Sequence, residues 1–214
     1  TMLCCSWDPA LLYEVGQAAA LEVHENGIGV WLTPAVNIHR SPLCGRNFEY
    51  YAEDPLLTGQ MSAAMIRGIQ SQGVACSLKH FACNNKETNR KNSDSRLSER
   101  ALREIYLRAF EICVKTAEPW SIMSAYNLIN GRRASENEEL LTGILREEWG
   151  FDGVVTTDWY TFGEQYREIS AGNDIKMGCG MPEHTMRMLK EGKISRRQLE
   201  VSVRRLMELI LKLK

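Results

Sequence analysis

The feature that most constrains this chain is the regular alternation of short apolar runs with longer segments of helical periodicity. The runs Val30-Trp31-Leu32, Val74-Ala75-Cys76-Ser77-Leu78, Trp120-Ser121-Ile122-Met123 and Gly153-Val154-Val155-Thr156-Thr157 are each too short for a helix, and Asp174-Ile175-Lys176-Met177 is a weaker fifth. Between them lie segments with apolar residues at helical spacing, such as Leu11, Leu12, Val15, Ala19 and Val23. Strands separated by helices imply a parallel sheet covered on both faces, hence an α/β fold.

The connections are asymmetric. Those after the strands are long and polar (Asn37 to Asp54, Lys79 to about Leu97, Tyr126 to Glu136), whereas those after the helices are short. A (β/α) barrel of the TIM type has this asymmetry, with its site on the loops at the C-terminal ends of the strands. A closed barrel needs about eight strands, more than this chain supplies, so the expectation is an incomplete or collapsed barrel-like sheet. Helix boundaries are also legible. Ser6 or Asp8 caps the first helix with Pro9 in its first turn, and Asn26-Gly27 closes it. Pro55 opens the second helix and Ser98 caps a third. Ser195 with Gln198 forms a capping box for the last.

Composition narrows the function. Lys and Arg total 26 against 27 Asp and Glu, a formal charge of −1, which argues against a nucleic-acid binder. No apolar run approaches the eighteen or so residues of a bilayer span, and the first residues do not resemble a signal peptide. Seven scattered cysteines without CxxC spacing read as reduced, mostly buried thiols, which points to a cytoplasmic setting. The four histidines show no metal-ligand spacing, so neither a metal nor a cofactor is expected.

Polar residues gather where the strands end. Asp158 closes an apolar strand, where a carboxylate is costly unless it is paired, caps a helix starting near Tyr160, or does chemistry. Trp159 beside it offers an aromatic face of the kind a sugar ring packs against. Lys79-His80 after Leu78 reads either as donors to substrate hydroxyls or as a salt bridge plus a buried histidine. Arg46 and Arg90 read as loop-pinning guanidiniums or as ligands, and Met123 and Tyr126 as core and rim.

Taken together, these stretches resemble glycoside hydrolase family 3, in its β-glucosidase and β-xylosidase branch. The matching text is Gly45-Arg46-Asn47-Phe48-Glu49 with Glu53-Asp54-Pro55, Lys79-His80-Phe81 with Asn84, and Glu87-Thr88-Asn89-Arg90. It continues through Ser98 to Tyr106, Met123-Ser124-Ala125-Tyr126-Asn127, Gly150 to Trp159, and Ala171-Gly172-Asn173-Asp174. The Asn84-Asn85-Lys86-Glu87 continuation favours this branch over the N-acetylglucosaminidase one. The resemblance implies a retaining β-glycosidase with Asp158 as nucleophile. Arg46, Lys79, His80, Arg90 and Tyr126 would hold the sugar hydroxyls, Met123 and Trp159 would line the subsite, and Lys79 and Arg90 would favour the charged form of Asp158. It also implies that residues 1–214 form one N-terminal-type domain lacking a first strand and a following α/β sandwich domain that supplies the acid/base glutamate. Glu49, Glu53 and Glu87 are then assigned to salt bridges. Apolar surface left where the first strand would pair would favour self-association. The alternative from another class is a non-catalytic sugar-binding or assembly module that needs a partner domain. A weaker third is a metal-dependent hydrolase using His80 and Asp158.

Overall fold

A computed structural model of the chain describes residues 1–213. Helix α1 (Pro9–Glu25) begins where Asp8 accepts hydrogen bonds from the Ala10 and Leu11 amides. It leads to strand β1 (Val30–Trp31) and, after the long loop, to α2 (Pro55–Gln70), capped by Asp54. Strand β2 (Ala75–Phe81) and the two-residue β3 (Asp94–Ser95) follow. The third helical region starts at Ser98, whose side chain accepts from the Ala101 amide. It comprises α3 (Glu99–Ala101), a wide π-helical stretch (Leu102–Tyr106) and α4 (Arg108–Ala117). Strand β4 (Ser121–Ser124), the hairpin β5 (Leu128–Ile129) and β6 (Arg132–Arg133), and a helix over Glu139–Glu148 lead to β7 (Val154–Thr157). Helices α5 (Gln165–Ala171), α6 (Pro182–Lys190) and α7 (Arg196–Lys212) complete the order. The last of these has the expected Ser195–Gln198 capping box.

The main sheet has the order β1-β2-β4-β7, all parallel, as the alternation predicts. It is open rather than closed into a barrel. The outer side of β7 is covered by the Asp174 segment, which forms a single bridge, Thr156 to Ile175, instead of the short strand expected there. The reason is Asp174 itself: its Oδ2 accepts from the Val155 amide at 2.8 Å, so a side chain takes the place of strand backbone. Helices α1 and α2 pack closely through glycines. A Cβ on Gly68 would lie 2.2 Å from the Tyr13 carbonyl oxygen. Phe81, Phe110, Leu107, Ile66, Ile69, Leu78, Leu141 and Val155 form the main core between sheet and helices.

Two further departures from the sequence reading stand out. The segment 126–136 was expected to be a loop but holds the β5–β6 hairpin, turned at Asn130 (φ 50°) and Gly131 (φ 84°). This is the Asn-Gly signature of a tight hairpin. The helix α5 also starts at Gln165, later than the helix near Tyr160 that would have been capped by Asp158. Five of the seven cysteines are buried, and among the described residues all are free thiols.

Candidate active site

Lys79 and His80 lie inside β2 rather than after it. Apolarity stops at Leu78 but backbone pairing continues. The Lys79 amide donates to Pro34 O at 3.0 Å, the Val36 amide donates to Lys79 O at 2.7 Å, and the Ala125 amide donates to Phe81 O at 2.7 Å. Pairing of this kind fixes both side chains against a rigid sheet, which is where a site needs precision. Register places Lys79, Met123 and Thr156 level with one another on β2, β4 and β7. Two residues beyond Thr156, Asp158 follows β7, its amide bonded to Ser124 O at 3.1 Å.

Asp158 is not a helix cap, since α5 starts seven residues later with Glu164 at the cap position. One of its oxygens, Oδ1, accepts from the Trp159 amide at 2.6 Å. The other, Oδ2, is buried and has no hydrogen-bond partner. His80 Nε2 lies 3.7 Å from it. Tyr126 completes this side: its hydroxyl donates to the Trp159 carbonyl, and its phenol is pushed up to about 12 by burial and the Asp158 charge.

The cations surround this carboxylate at second remove. Arg46 pairs with Glu49, and Lys79 Nζ lies 3.6 Å from the other Glu49 oxygen. Arg90 pairs with Glu87 at 3.0 Å and stacks over the Tyr126 ring at 4.9 Å. Glu49 and Glu87 thus have the salt-bridge role expected of them, while Glu53 is exposed. The arginines serve both readings at once, pinned to acids and aimed at the same centre. Met123, 3% exposed, is packed in the sheet, whereas Trp159 is 47% exposed at the rim.

The electrostatics correct one expectation. Lys79 and Arg90 were expected to favour the ionised form of Asp158, but burial outweighs its neighbours. The carboxyl sits above the usual range, against the opposing pull of the Trp159 amide, the Tyr126 hydroxyl, Arg46 and Arg90. Burial also drives His80 well below its ordinary value, reinforced by Arg46, Lys79 and Arg90, so its imidazole is neutral. Lys79 is lowered by burial and by Arg46, with Glu49 and Asp158 opposing.

Two residues of this arrangement, Asn37 and Tyr50, escaped the sequence reading as site residues. Asn37, 2% exposed, bonds both backbone groups of His80, and Tyr50, fully buried, meets the His80 ring edge-on while its hydroxyl donates to the Asn84 carbonyl. Asn37 follows the apolar pair Ala35-Val36, which continues the β1 edge by bridging to Lys79; a polar residue there is the signal that would have found it.

A neutral histidine, an ionisable carboxyl with one free oxygen, and fixed guanidinium and ammonium donors form a constellation suited to a polyhydroxylated ring. The model of the glycosyl hydrolase family 3 N-terminal domain matches residues 1–209. The chain belongs to glycoside hydrolase family 3. Over 200 residues it is 60% identical to β-glucosidase A of Butyrivibrio fibrisolvens, which covers 94% of this chain and 24% of that protein. It is 45% identical to an exo-α-(1→6)-L-arabinopyranosidase of Bifidobacterium longum over 212 residues, 97% of this chain and 28% of that one. The solved structure of β-glucosidase 3B from Thermotoga neapolitana in complex with glucose superposes with a TM-score of 0.97 at 50% identity, covering 99% of this chain and 31% of that chain. This family 3 chain therefore spans about a quarter of the length of the curated relatives it matches.

Proposed function

We propose that this chain carries the nucleophile and innermost sugar subsite of a retaining β-glycosidase that releases terminal β-D-glucosyl or related residues. The observation that carries the proposal is the buried, unpartnered Oδ2 of Asp158, set among Lys79, His80, Arg46, Arg90 and Tyr126. A buried carboxylate oxygen left without a donor is costly, and its retention makes sense where an electrophile is to meet it. In the first step, Asp158 Oδ2 forms a bond to the anomeric carbon as the bond from that carbon to the leaving oxygen breaks, giving a glycosyl ester that water later hydrolyses with retention. Arg46, Lys79 and Arg90 donate to ring hydroxyls, Tyr126 holds its proton beside the nucleophile, and Trp159 offers an apolar face.

The departing oxygen needs a proton from a general acid. Glu49 and Glu87 are both committed to ion pairs, so neither is free for that role. The proposal assigns it to a glutamate on a further α/β sandwich domain, as the greater length of the relatives supports. Identity of the sugar is left between hexose and pentose. The family relatives include proteins named for glucosides and for an arabinopyranoside, which lacks the hydroxymethyl group.

The test uses a leaving group that needs no proton. Incubation with 2,4-dinitrophenyl 2-deoxy-2-fluoro-β-D-glucoside should leave a fluoroglucosyl ester on the peptide containing Asp158, read by tandem mass spectrometry. General acid assistance is worth about 10²–10⁴-fold, so alkyl glucosides should turn over far more slowly with this chain alone. Label on another carboxylate, with Asp158 untouched, overturns the nucleophile assignment.

A further inference from the structure

The hydrogen-bond directions around His80 can be assigned in sequence, one group fixing the next. The His80 amide donates to Asn37 Oδ1 at 2.9 Å, and Asn37 Nδ2 donates to His80 O at 2.9 Å. Backbone N–H can only donate and backbone C=O only accept, so these two bonds settle which end of the Asn37 amide is oxygen. That oxygen also lies 3.3 Å from His80 Nδ1. The Tyr50 hydroxyl is 3.5 Å from the same nitrogen. Its single proton goes to Asn84 O at 3.1 Å, while Asn84 Nδ2 approaches the hydroxyl oxygen at 3.3 Å. Toward Nδ1, therefore, both Asn37 Oδ1 and Tyr50 Oη can only accept.

We infer that Asn37 is a positioning residue that, with Tyr50, holds His80 in the tautomer carrying its proton on Nδ1, so that Nε2 presents a lone pair alongside Asp158 Oδ2. This accounts for the 3.7 Å separation of Nε2 and Oδ2, which is beyond a hydrogen bond, and for Oδ2 having no partner. Two acceptors face one another. The opposite tautomer would aim an N–H at the carboxylate and weaken it as a nucleophile.

The assignment has a consequence for the ligand, which rests on the glycosidase reading above. A sugar hydroxyl both donates and accepts. Lys79, Arg46 and Arg90 can only donate, whereas His80 Nε2 in this tautomer can only accept. A hydroxyl beside the reacting carbon can thus accept from a cation and give its own proton to Nε2. The ring reads the hydroxyl's hydrogen, leaving Asp158 Oδ2 free for the anomeric carbon.

Long-range proton–nitrogen correlation spectra of the ¹⁵N-labelled chain at neutral pH test this directly, because the two neutral tautomers and the imidazolium give distinct nitrogen shift patterns. His80→Gln identifies the His80 signals among those of His24, His39 and His184. The expected pattern is a protonated Nδ1 and a bare Nε2. An Nε2–H pattern, or the paired shifts of an imidazolium, overturns the inference. In Asn37→Leu, with the other three histidine patterns unchanged as the check on folding, the His80 pattern should move toward the Nε2–H form. An unmoved pattern removes Asn37 from the role. Should that variant fail to fold, Asn37→Asp keeps the acceptor and should keep the Nδ1 proton; loss of that proton counts against the inference. An Nδ1–H pattern without labelling at Asp158 would refute the glycosidase reading alone, and labelling with an Nε2–H pattern would refute the tautomer alone.

Discussion

Replacing Asp158 with asparagine should make the fold more stable while abolishing the ester chemistry. A buried polar atom without a partner costs about 1–3 kcal/mol, and Asp158 Oδ2 is such an atom. The Asp158 side chain retains 11% of its exposure, so a value toward the lower part of that range applies. The amide installed by Asp158→Asn removes the buried charge and offers an N–H to His80 Nε2, turning two facing acceptors into a donor and an acceptor. A gain of about 1–2 kcal/mol, at about 2–4 °C per kcal/mol for a chain of this size, places the rise in Tm at about 2–8 °C. The pH dependence follows from the direction of the Asp158 shift. Burial raises its folded pKa above the unfolded one, so between the two the folded state binds more protons. Stability of the native chain therefore falls as pH rises through that window and is lowest above the folded value. The advantage of Asp158→Asn should grow as pH rises through that window and vanish in acid, where Asp158 is protonated in both states. Thermal unfolding of the two proteins across this pH range is the assay. Equal or lower stability of the variant at neutral pH, or an advantage that does not change with pH, would refute the reasoning.

Two other perturbations probe the scaffold. Lys176 and Glu168 form an ion pair at 2.9 Å with both side chains 1% exposed; Lys176→Met strands the carboxylate and should cost about 3–5 kcal/mol in urea unfolding. The double variant with Glu168→Gln should recover part of that loss, and no recovery would mean that the pair's electrostatics are not what Lys176 contributes. Gly68→Ala sets a Cβ 2.2 Å from the Tyr13 carbonyl, forcing α1 and α2 apart, with an expected loss of about 1–3 kcal/mol. Gly143→Ala, where nothing lies within 4 Å, is the control and should be neutral or stabilising.

Much of this molecule is legible in its residues because the relevant signals are local. Asp8, Ser98 and Ser195 announce their helices through side chains that reach amides two or three positions on. The β-runs are recognisable because a sheet covered on both faces demands unbroken apolarity. What resists reading is set by distant partners. Lys79-His80 looks like loop because polarity begins there, yet strand pairing persists through contacts with Pro34, Val36 and Ala125. The cations near Asp158 and the salt-bridge role of Glu49 and Glu87 can be named from motifs, but not that burial would override the cations. The β5–β6 hairpin is the exception: Asn130-Gly131 is a local turn signal, but its flanking strands, only two residues long, add no apolar run to mark them.

The contrast between two buried aspartates beside β7 carries the final step. Asp174, with no side-chain exposure, has both oxygens satisfied. Oδ2 accepts from the Val155 amide at 2.8 Å and from Arg146 at 2.9 Å, and Oδ1 accepts from Arg205 at 3.1 Å. Glu168 is treated likewise, with Oε1 accepting from Ser135 and Thr161 and Oε2 from Lys176. The fold can therefore solvate a buried carboxylate with its own groups, and does so at Asp174 and Glu168. Asp158 borders the same strand and has guanidinium groups acting on it, yet its Oδ2 receives nothing and the nearest ring nitrogen turns a lone pair toward it. A missing partner amid available donors is not a packing failure. It is the arrangement expected where stability is given up to keep one oxygen reactive.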